Sequence, residues 1–429
     1  MNRIPEVNID ENITTDSIRA LAAEYEDVFV LDSCSVADSR GLGRYQLLAG
    51  LGEKATLEFR VSEHIDWEHV DQFINEHPWV FFVVSYDCKN QIHGLTSNNK
   101  DFMQWPLLTM VAAQTVVGLN TQNELLIWAE NVNEIRSQLL NVGGKPQVEN
   151  RSIEGMSSSM DKDEYLEKVR TIKHEIELGN VYEMNLCVEY TLDNFKLGSG
   201  MSMFNSLTQH SPVPFAAYVQ TKNRHIMCAS PERFLAKRDG NLYSQPIKGT
   251  SARYDDKERD DRSRDVLMTS KKERAEHVMI VDLVRNDMAK NSIAGTTEVE
   301  ELFGIYSFAQ VHQMISTVKS QLKSEMNWSK IIRNTFPMGS MTGAPKHIAM
   351  EYIEDLENAS RGWYSGSVGY IDPDGDFDCN VVIRSLLYDS HQLRGSFSVG
   401  GAITYDSDPE AEFEECQLKA SAIRKVFGI

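Results

Sequence analysis

No apolar run in the 429-residue chain approaches the roughly 18 residues that a membrane-spanning helix requires. The start, MNRIPEVNIDENITTDS, lacks an apolar h-region, so a secretory signal is not expected. Cysteine is scarce and scattered. Cys34, Cys88, Cys187, Cys228, Cys379 and Cys416 form no C-x-x-C pair, which argues against a disulfide framework and a thiolate zinc site. A reducing cytoplasm is the natural compartment. Positive charge is short too: Lys and Arg total 43 against 63 Asp and Glu, a net charge of −20 with no basic stripe. Such a surface repels a nucleic-acid backbone. An anionic substrate would need a cationic pocket built locally, against the mean field of the protein.

The apolar patterning that is present organises the chain. DVFVLDS (27–33) and WVFFVVSYD (79–87) read as strands, rich in β-branched and aromatic residues between polar clusters. LLTMVAAQTVVGL (107–119) and ELLIWAE (124–130) read as a buried hairpin around NTQN. Residues 141–160 gather Gly, Pro and Ser without an apolar period and are the best candidate linker, separating a β-rich region 1–150 from a region 151–429. The next segment predicts a strong helix. Tyr165, Leu166, Val169, Ile172 and Ile176 recur at helical spacing, acids fill the first turn, and Gly179 sits at the C′ position. VYEMNLCVEYTL then reads as a strand. Without a βαβ rhythm or an internal repeat, an α+β protein on large antiparallel sheets is expected.

Five clusters after the linker could carry chemistry. ASPERFL presents Glu232 after a proline, where a turn acid is the plain reading. QPIKGTSAR places Lys248 between an apolar approach and a glycine. It is either a solvated strand lysine or a nucleophile, and the second reading requires a neutral amine, with burial near other cations to lower its pKa. KKERAEHVMIVDLVRNDMAK carries Glu276 ahead of a run apolar nearly all round, so this helix is expected to be buried. FPMGSMTGAPKHIAMEYIEDLE feeds glycines into a helix with Pro345 at N1 and an apolar face of Ile348, Tyr352, Ile353 and Leu356. Its spacing is not that of a P-loop. SVGGAITYDSDPEAEFEECQLKASAIRKVFGI ends in a helix whose apolar face is Phe413, Cys416, Ala420, Ile423 and Phe427. Glu412 and Glu415 share its first turn, favoured there by the helix dipole in any case. With Glu276 they make three hard-oxygen ligands suited to Mg²⁺, and no His or Cys spacing supports zinc.

In order, SPERFL, PIKGT, AEHVMIVDLVRND, GSMTGAPK, RGWYSGSVGY, VVIRSLLY and PEAEFEE resemble the chorismate-utilising enzymes. The resemblance is dense from about residue 155 onward. Before residue 150 it thins to VLDSC, where Asp32 and Ser33 match a tryptophan-pocket motif. It implies a layered sandwich of two large antiparallel sheets with outer helices, with strands of the two sequence regions interleaved in one unit. It also implies chorismate held through Mg²⁺ on Glu276, Glu412 and Glu415, and by Ser340, Tyr364, Arg384, the backbone of Gly400, Gly401 and Ala402, and Lys419. An arginine fork suits a carboxylate, whereas a helix salt bridge to Glu415 is the plain reading of Lys419.

Within the family, Lys248 resembles the aminodeoxychorismate-forming branch; the anthranilate, isochorismate and salicylate branches typically carry alanine there. The resemblance makes Lys248 a covalent nucleophile at C2 and Glu232 the general acid for the C4 hydroxyl. Glu183 stands where aminating branches often have glutamine and isochorismate-forming enzymes a lysine base. Gln313 replaces a usual histidine, and Ala402 a common third glycine. The chain contains no amidotransferase-type cysteine elbow, so a separate class I glutaminase is expected to supply ammonia. The competing expectations are anthranilate formation and a catalytically silent chorismate- or tryptophan-binding module.

Overall fold

The computed structural model describes residues 2–3, 13–38, 40–142 and 151–428. The expected hairpin is present: Leu108–Asn120 pairs antiparallel with Leu125–Ala129, with Val116 opposite Trp128. The helix Lys162–Glu177 starts where Asp161 accepts a hydrogen bond from the Glu164 amide, and Gly179 takes φ +79° just beyond its end. Residues 143–150 of the expected linker lie outside the described residues. Its far end is a strand, Gly155–Ser158, paired with Glu183–Asp193.

All ladders between the strands are antiparallel, and they form two arms that share one long strand pair. Tyr45–Phe59 lies along Leu108–Asn120 from Tyr45 opposite Asn120 to Phe59 opposite Leu108. From Tyr45–Phe59 the first arm runs through Val28–Asp32, Phe215–Thr221, Arg224–Ser230, Ser385–Asp389 and Arg394–Ile403 to Glu183–Asp193. From Leu108–Asn120 the second runs through Val80–Val84, Ser367–Ile371, Phe377–Asn380, Arg233–Arg238 and Asn241–Gln245 to Val311–Gln321, which also pairs with Ile247–Ala252.

The alternation of side chains assigns the layers. Phe29, Phe81 and Val83 join a cluster with Trp105, Ile226, Trp363 and Leu387, drawn from both arms and so lying between the sheets. Their neighbours Val28 and Val30 pack outward against helical residues such as Ile18, Val169 and Phe204. Val80, Phe82 and Val84 pack outward against Ile280, Val284 and Ile331. The result is the expected sandwich of two antiparallel sheets with helices outside.

Two local expectations are corrected. The helix Lys271–Ala289 buries one face, with His277, Ile280, Val281, Val284 and Met288 inward, but Val278 is 39% exposed. A continuous apolar run hides this one-sidedness, because a single sheet covers the helix. Pro345 is the N-cap of Lys346–Leu356 and not its first residue; Ala349, Met350 and Ile353 are buried there, while Ile348 is exposed.

Candidate active site

The far ends of the two arms bring Lys248 to Glu183. Lys248 lies in the strand Ile247–Ala252, whose pairing slips between Ile247, opposite Ile315, and Thr250, opposite Gln313. Three steps on one strand match two on the other, a bulge that redirects the intervening side chains. Gly249 makes it at φ +84°, where a Cβ would stand 2.9 Å from Glu273 Oε2 and 3.0 Å from Leu267 Cδ1. The glycine after the lysine is thus required by both backbone angle and space.

Lys248 Nζ contacts Glu183 Oε1 at 2.6 Å, with the lysine side chain 14% exposed and the glutamate fully buried. Burial alone would lower the lysine pKa; the charges of Glu183, Glu276 and Glu232 outweigh it and hold the pKa above the ordinary value. The cations that the nucleophile reading called on to lower the pKa are not what surrounds Lys248; its neighbours are carboxylates, which favour the ammonium form. Two buried acceptors nearby, Glu183 Oε2 and Gln313 Oε1, have no hydrogen-bond partner among the described residues. Orphaned buried polar atoms are uncommon in folded proteins. His312 is turned away, with Nδ1 at 2.7 Å from Ser307 Oγ and Nε2 at 3.1 Å from Asp260 Oδ1. It does not substitute for Gln313.

Glu232 is 6% exposed, and its amide donates to Ser230 Oγ at 3.2 Å. Burial pushes its carboxyl up to about 7 against the opposing pull of Ser340, Lys248 and Arg384. It is poised to hold a proton at neutral pH and to release it. Ser340 lies in the turn Gly339–Met341, its carbonyl held at 2.9 Å by Asn185 Nδ2. Arg384 is exposed at φ +51°, a left-handed backbone that costs a non-glycine residue about 1 kcal/mol or more. Sequence reasoning missed His277. It is fully buried, with Nε2 2.6 Å from Ser316 Oγ, and burial pushes it down to about 4, so that it is neutral beside the Lys248 backbone. Its one signal was its place next to Glu276.

The acids of the C-terminal helix form a neighbouring group. Thr404 Oγ1 donates to Glu276 Oε1 at 3.4 Å, and its amide donates to Ser407 Oγ at 3.0 Å, just before the helix Pro409–Phe427. Glu412 Oε2 stands 3.2 Å from where a Cβ on Gly401 would be. Burial raises the Glu412 carboxyl, and the charge of Glu415 adds to the rise. Lys419 Nζ holds Glu415 at 2.8 Å and also donates to the Gly400 carbonyl at 2.8 Å. Gly400, Gly401 and Ala402 lie in the strand Arg394–Ile403, opposite Cys187, Leu186 and Asn185. Tyr364 is buried beside Cys187, Arg361 and Glu357, where burial holds its phenol far above the ordinary range.

Among the described residues no three acidic, histidine or cysteine side chains converge closely enough to hold a metal unaided. Glu276, Glu412 and Glu415 nonetheless offer carboxylate oxygens throughout, and like charge and burial raise Glu412 and Glu276. Such a donor set fits a hard divalent cation that takes its remaining ligands from water or substrate.

Asp32 and Ser33 lie elsewhere, on a cavity of about 480 Å³ with Arg44, Tyr45, Phe215, Arg233 and Tyr370. The Asp32 carboxylate is already engaged: Arg19 donates to it at 2.8 and 2.6 Å and the Cys34 amide at 2.6 Å. No helix among the described residues is long and apolar enough to cross a membrane.

Comparison with known proteins follows this geometry. Residues 28–425 match the chorismate binding enzyme family. The chain is 35% identical over 300 residues to aminodeoxychorismate synthase component 1 of Escherichia coli strain K12, a match covering 70% of this chain and 65% of that protein. It is 32% identical over 411 residues to an anthranilate synthase component I-like protein of Synechocystis, covering 90% of this chain and 83% of that one. Its fold superposes on anthranilate synthase component I of Streptococcus pneumoniae with TM-score 0.77 at 22% identity, over 89% of this chain and 92% of that one. The chain thus belongs to the chorismate binding enzyme family.

Proposed function

We propose that the chain is an aminodeoxychorismate synthase, converting chorismate and ammonia to 4-amino-4-deoxychorismate. The observation that carries this reading is the placement of Lys248, in contact with buried Glu183 at 2.6 Å, near enough to the buried carboxyl of Glu232 for their charges to act on one another. A general acid works best when its pKa lies near the operating pH. Lys248 Nζ bonds to C2 as both ring double bonds shift by one position and the C4–oxygen bond breaks. Glu232 gives its proton to the departing hydroxyl, which leaves as water. Ammonia then adds at C4, both double bonds shift back, and the lysine amine leaves C2. Covalent catalysis thus replaces one hard displacement by two easier ones.

Mg²⁺ held by Glu276, Glu412 and Glu415 would supply charge neutralisation for a substrate carboxylate. Ser340, Arg384, Tyr364, Lys419 and the strand backbone at Gly400–Ala402 are proposed to orient the substrate. A separate class I glutaminase would deliver the ammonia, and a lyase would be needed to reach 4-aminobenzoate for folate synthesis. The Asp32–Ser33 cavity is the proposed tryptophan site. Anthranilate formation is the second reading, favoured by the Synechocystis relative and opposed by Lys248.

The test uses purified protein with chorismate, Mg²⁺ and an ammonium salt at mildly alkaline pH, with products resolved by mass spectrometry. A nitrogen-containing product that keeps the enolpyruvyl group is expected. Anthranilate with free pyruvate would establish the second reading instead, and tight chorismate binding without product would mark a silent module.

A further inference from the structure

A lysine that must attack carbon cannot do so as an ammonium, and this one is an ammonium at rest. The proton has to leave inside a largely closed chamber. Among the described residues, Glu183 is the carboxylate in ion-pair contact with Nζ, at 2.6 Å. Glu276 and Glu232 act on Lys248 through their charge, from the helix Lys271–Ala289 and from the turn before Arg233–Arg238. Glu232 is occupied as the acid, and Glu276 shares its oxygen with Thr404 and lies 3.9 Å from Lys272. His277 is held by Ser316, and Glu273 faces Gly249.

Glu183 is also the most firmly placed of these groups. It is fully buried, and its strand pairs with Gly343–Ala344, with Glu183 opposite Ala344. Gly343 sits at φ +152°, where a Cβ would come within 2.2 Å of the Glu183 carbonyl. The Tyr182 amide donates to the Ala344 carbonyl at 2.7 Å. Backbone contacts with Gly343–Ala344 thus fix the strand at Glu183, and its Oε2 has no hydrogen-bond partner among the described residues.

We propose that Glu183 is the base that takes the proton from Lys248 and later returns it. This rests on Lys248 being the nucleophile of the reaction above. The proton count closes. Lys248 ammonium and Glu183 carboxylate become amine and carboxylic acid; the amine bonds to C2 while Glu232 loses its proton with the departing water. Ammonia, formed from ammonium with release of one proton, adds at C4 and displaces the amine. Glu183 reprotonates Lys248, and the proton released by ammonium restores Glu232. The sum is chorismate plus ammonium giving ammonium-bearing product plus water.

The test compares wild type, Glu183→Gln and Glu183→Asp for kcat and KM with chorismate, Mg²⁺ and ammonium from pH 6 to 10. In Glu183→Gln the lysine keeps Glu276 as a nearby carboxylate but has no base in contact with it, and must lose its proton to solvent. We expect kcat at pH 7 to fall on the order of 10²-fold, the optimum to move to higher pH, and KM to change little. Glu183→Asp is expected to recover part of the rate. A second readout needs no turnover: acetylation of Lys248 by acetic anhydride, followed by peptide mass spectrometry across pH. Its midpoint is expected at lower pH in Glu183→Gln than in wild type, because the carboxylate that holds the proton is gone.

Wild-type turnover together with a Glu183→Gln variant of unchanged kcat and optimum would overturn the base role alone. An unmoved acetylation midpoint would do the same. Wild-type protein that forms no aminated product would overturn the proposed reaction, and the base role with it, even where the acetylation shift persists.

Discussion

Two lysines are drawn into this protein by carboxylates, and exposure does not tell them apart: Lys248 is 14% exposed and Lys346 is 10% exposed. Their partners do. Lys346 Nζ contacts Asp287 and donates to the carbonyls of Thr335 at 2.8 Å and Pro337 at 2.6 Å. A lysine has three N–H donors, and there all three are used. Lys248 has one close partner, two more carboxylates that act by charge alone, and a neighbouring acceptor left open. Burial lowers the pKa of Lys346, while carboxylates raise that of Lys248. On the proposed reaction, a search for a lowered lysine pKa would therefore select the wrong residue. Saturation of the hydrogen-bond donors separates Lys346 from the lysine proposed to react.

The widest separation should come from removing each in turn. Lys248→Ala is expected to fold, as read by near-ultraviolet circular dichroism, and to reduce aminated product to background. Wild-type turnover in that variant would end the nucleophile role. Lys346→Ala leaves Asp287 with Lys290 alone, at 2.9 Å, and strips the donor from the Thr335 and Pro337 carbonyls, so it is expected to lose about 1–3 kcal/mol in urea unfolding. An unmoved unfolding midpoint would show that Lys346 is not the structural member of the comparison.

Glu232→Gln is expected to slow turnover by about 10²–10⁴-fold. In wild type the rate should fall as pH rises through about 7, because the acid form is lost there. The sign for stability is the reverse of the usual carboxylate. The folded pKa lies above the ordinary 4.5, so the fold loses stability as pH rises from about 4.5 to about 7. Glu232→Gln removes that loss, and its melting temperature should exceed that of wild type at pH 8 but not at pH 4.5.

A smaller effect is expected from Glu276→Gln, in which activity and Mg²⁺ dependence should weaken together in a Mg²⁺ titration. An unchanged titration would remove Glu276 from the metal site. Smallest is Lys419→Ala. Its side chain is 44% exposed in a helix pair, so stability should change by no more than about 1 kcal/mol. A several-fold rise in the KM for chorismate with kcat unchanged would mark it as a substrate contact.

The sequence made some of this legible and not the rest, for physical reasons. The helix Lys162–Glu177 carries its own signals: an Asp161 cap, an apolar stripe and a terminal glycine. The strand Val80–Val84 is buried on both faces and reads as an uninterrupted apolar run. Glu232 and Lys248 stood out through family motifs, but their electrostatics did not, because charge depends on neighbours distant in the chain. Glu183 and Lys248 are on strands that do not pair with each other, at the ends of different arms. No local pattern encodes that meeting, which is why the sequence left open both a solvated lysine and a buried neutral one, and only the fold shows the carboxylates around it.

The interleaving of the arms also has a consequence in time. Val28–Asp32 pairs with Phe215–Thr221, and Val80–Val84 pairs with Ser367–Ile371. Strands made early in synthesis thus wait for partners made much later, with their edges open meanwhile. Topologies ruled by such distant pairings fold slowly, and unpaired edges invite association with other chains. The nascent protein therefore spends most of its synthesis without a finished sheet.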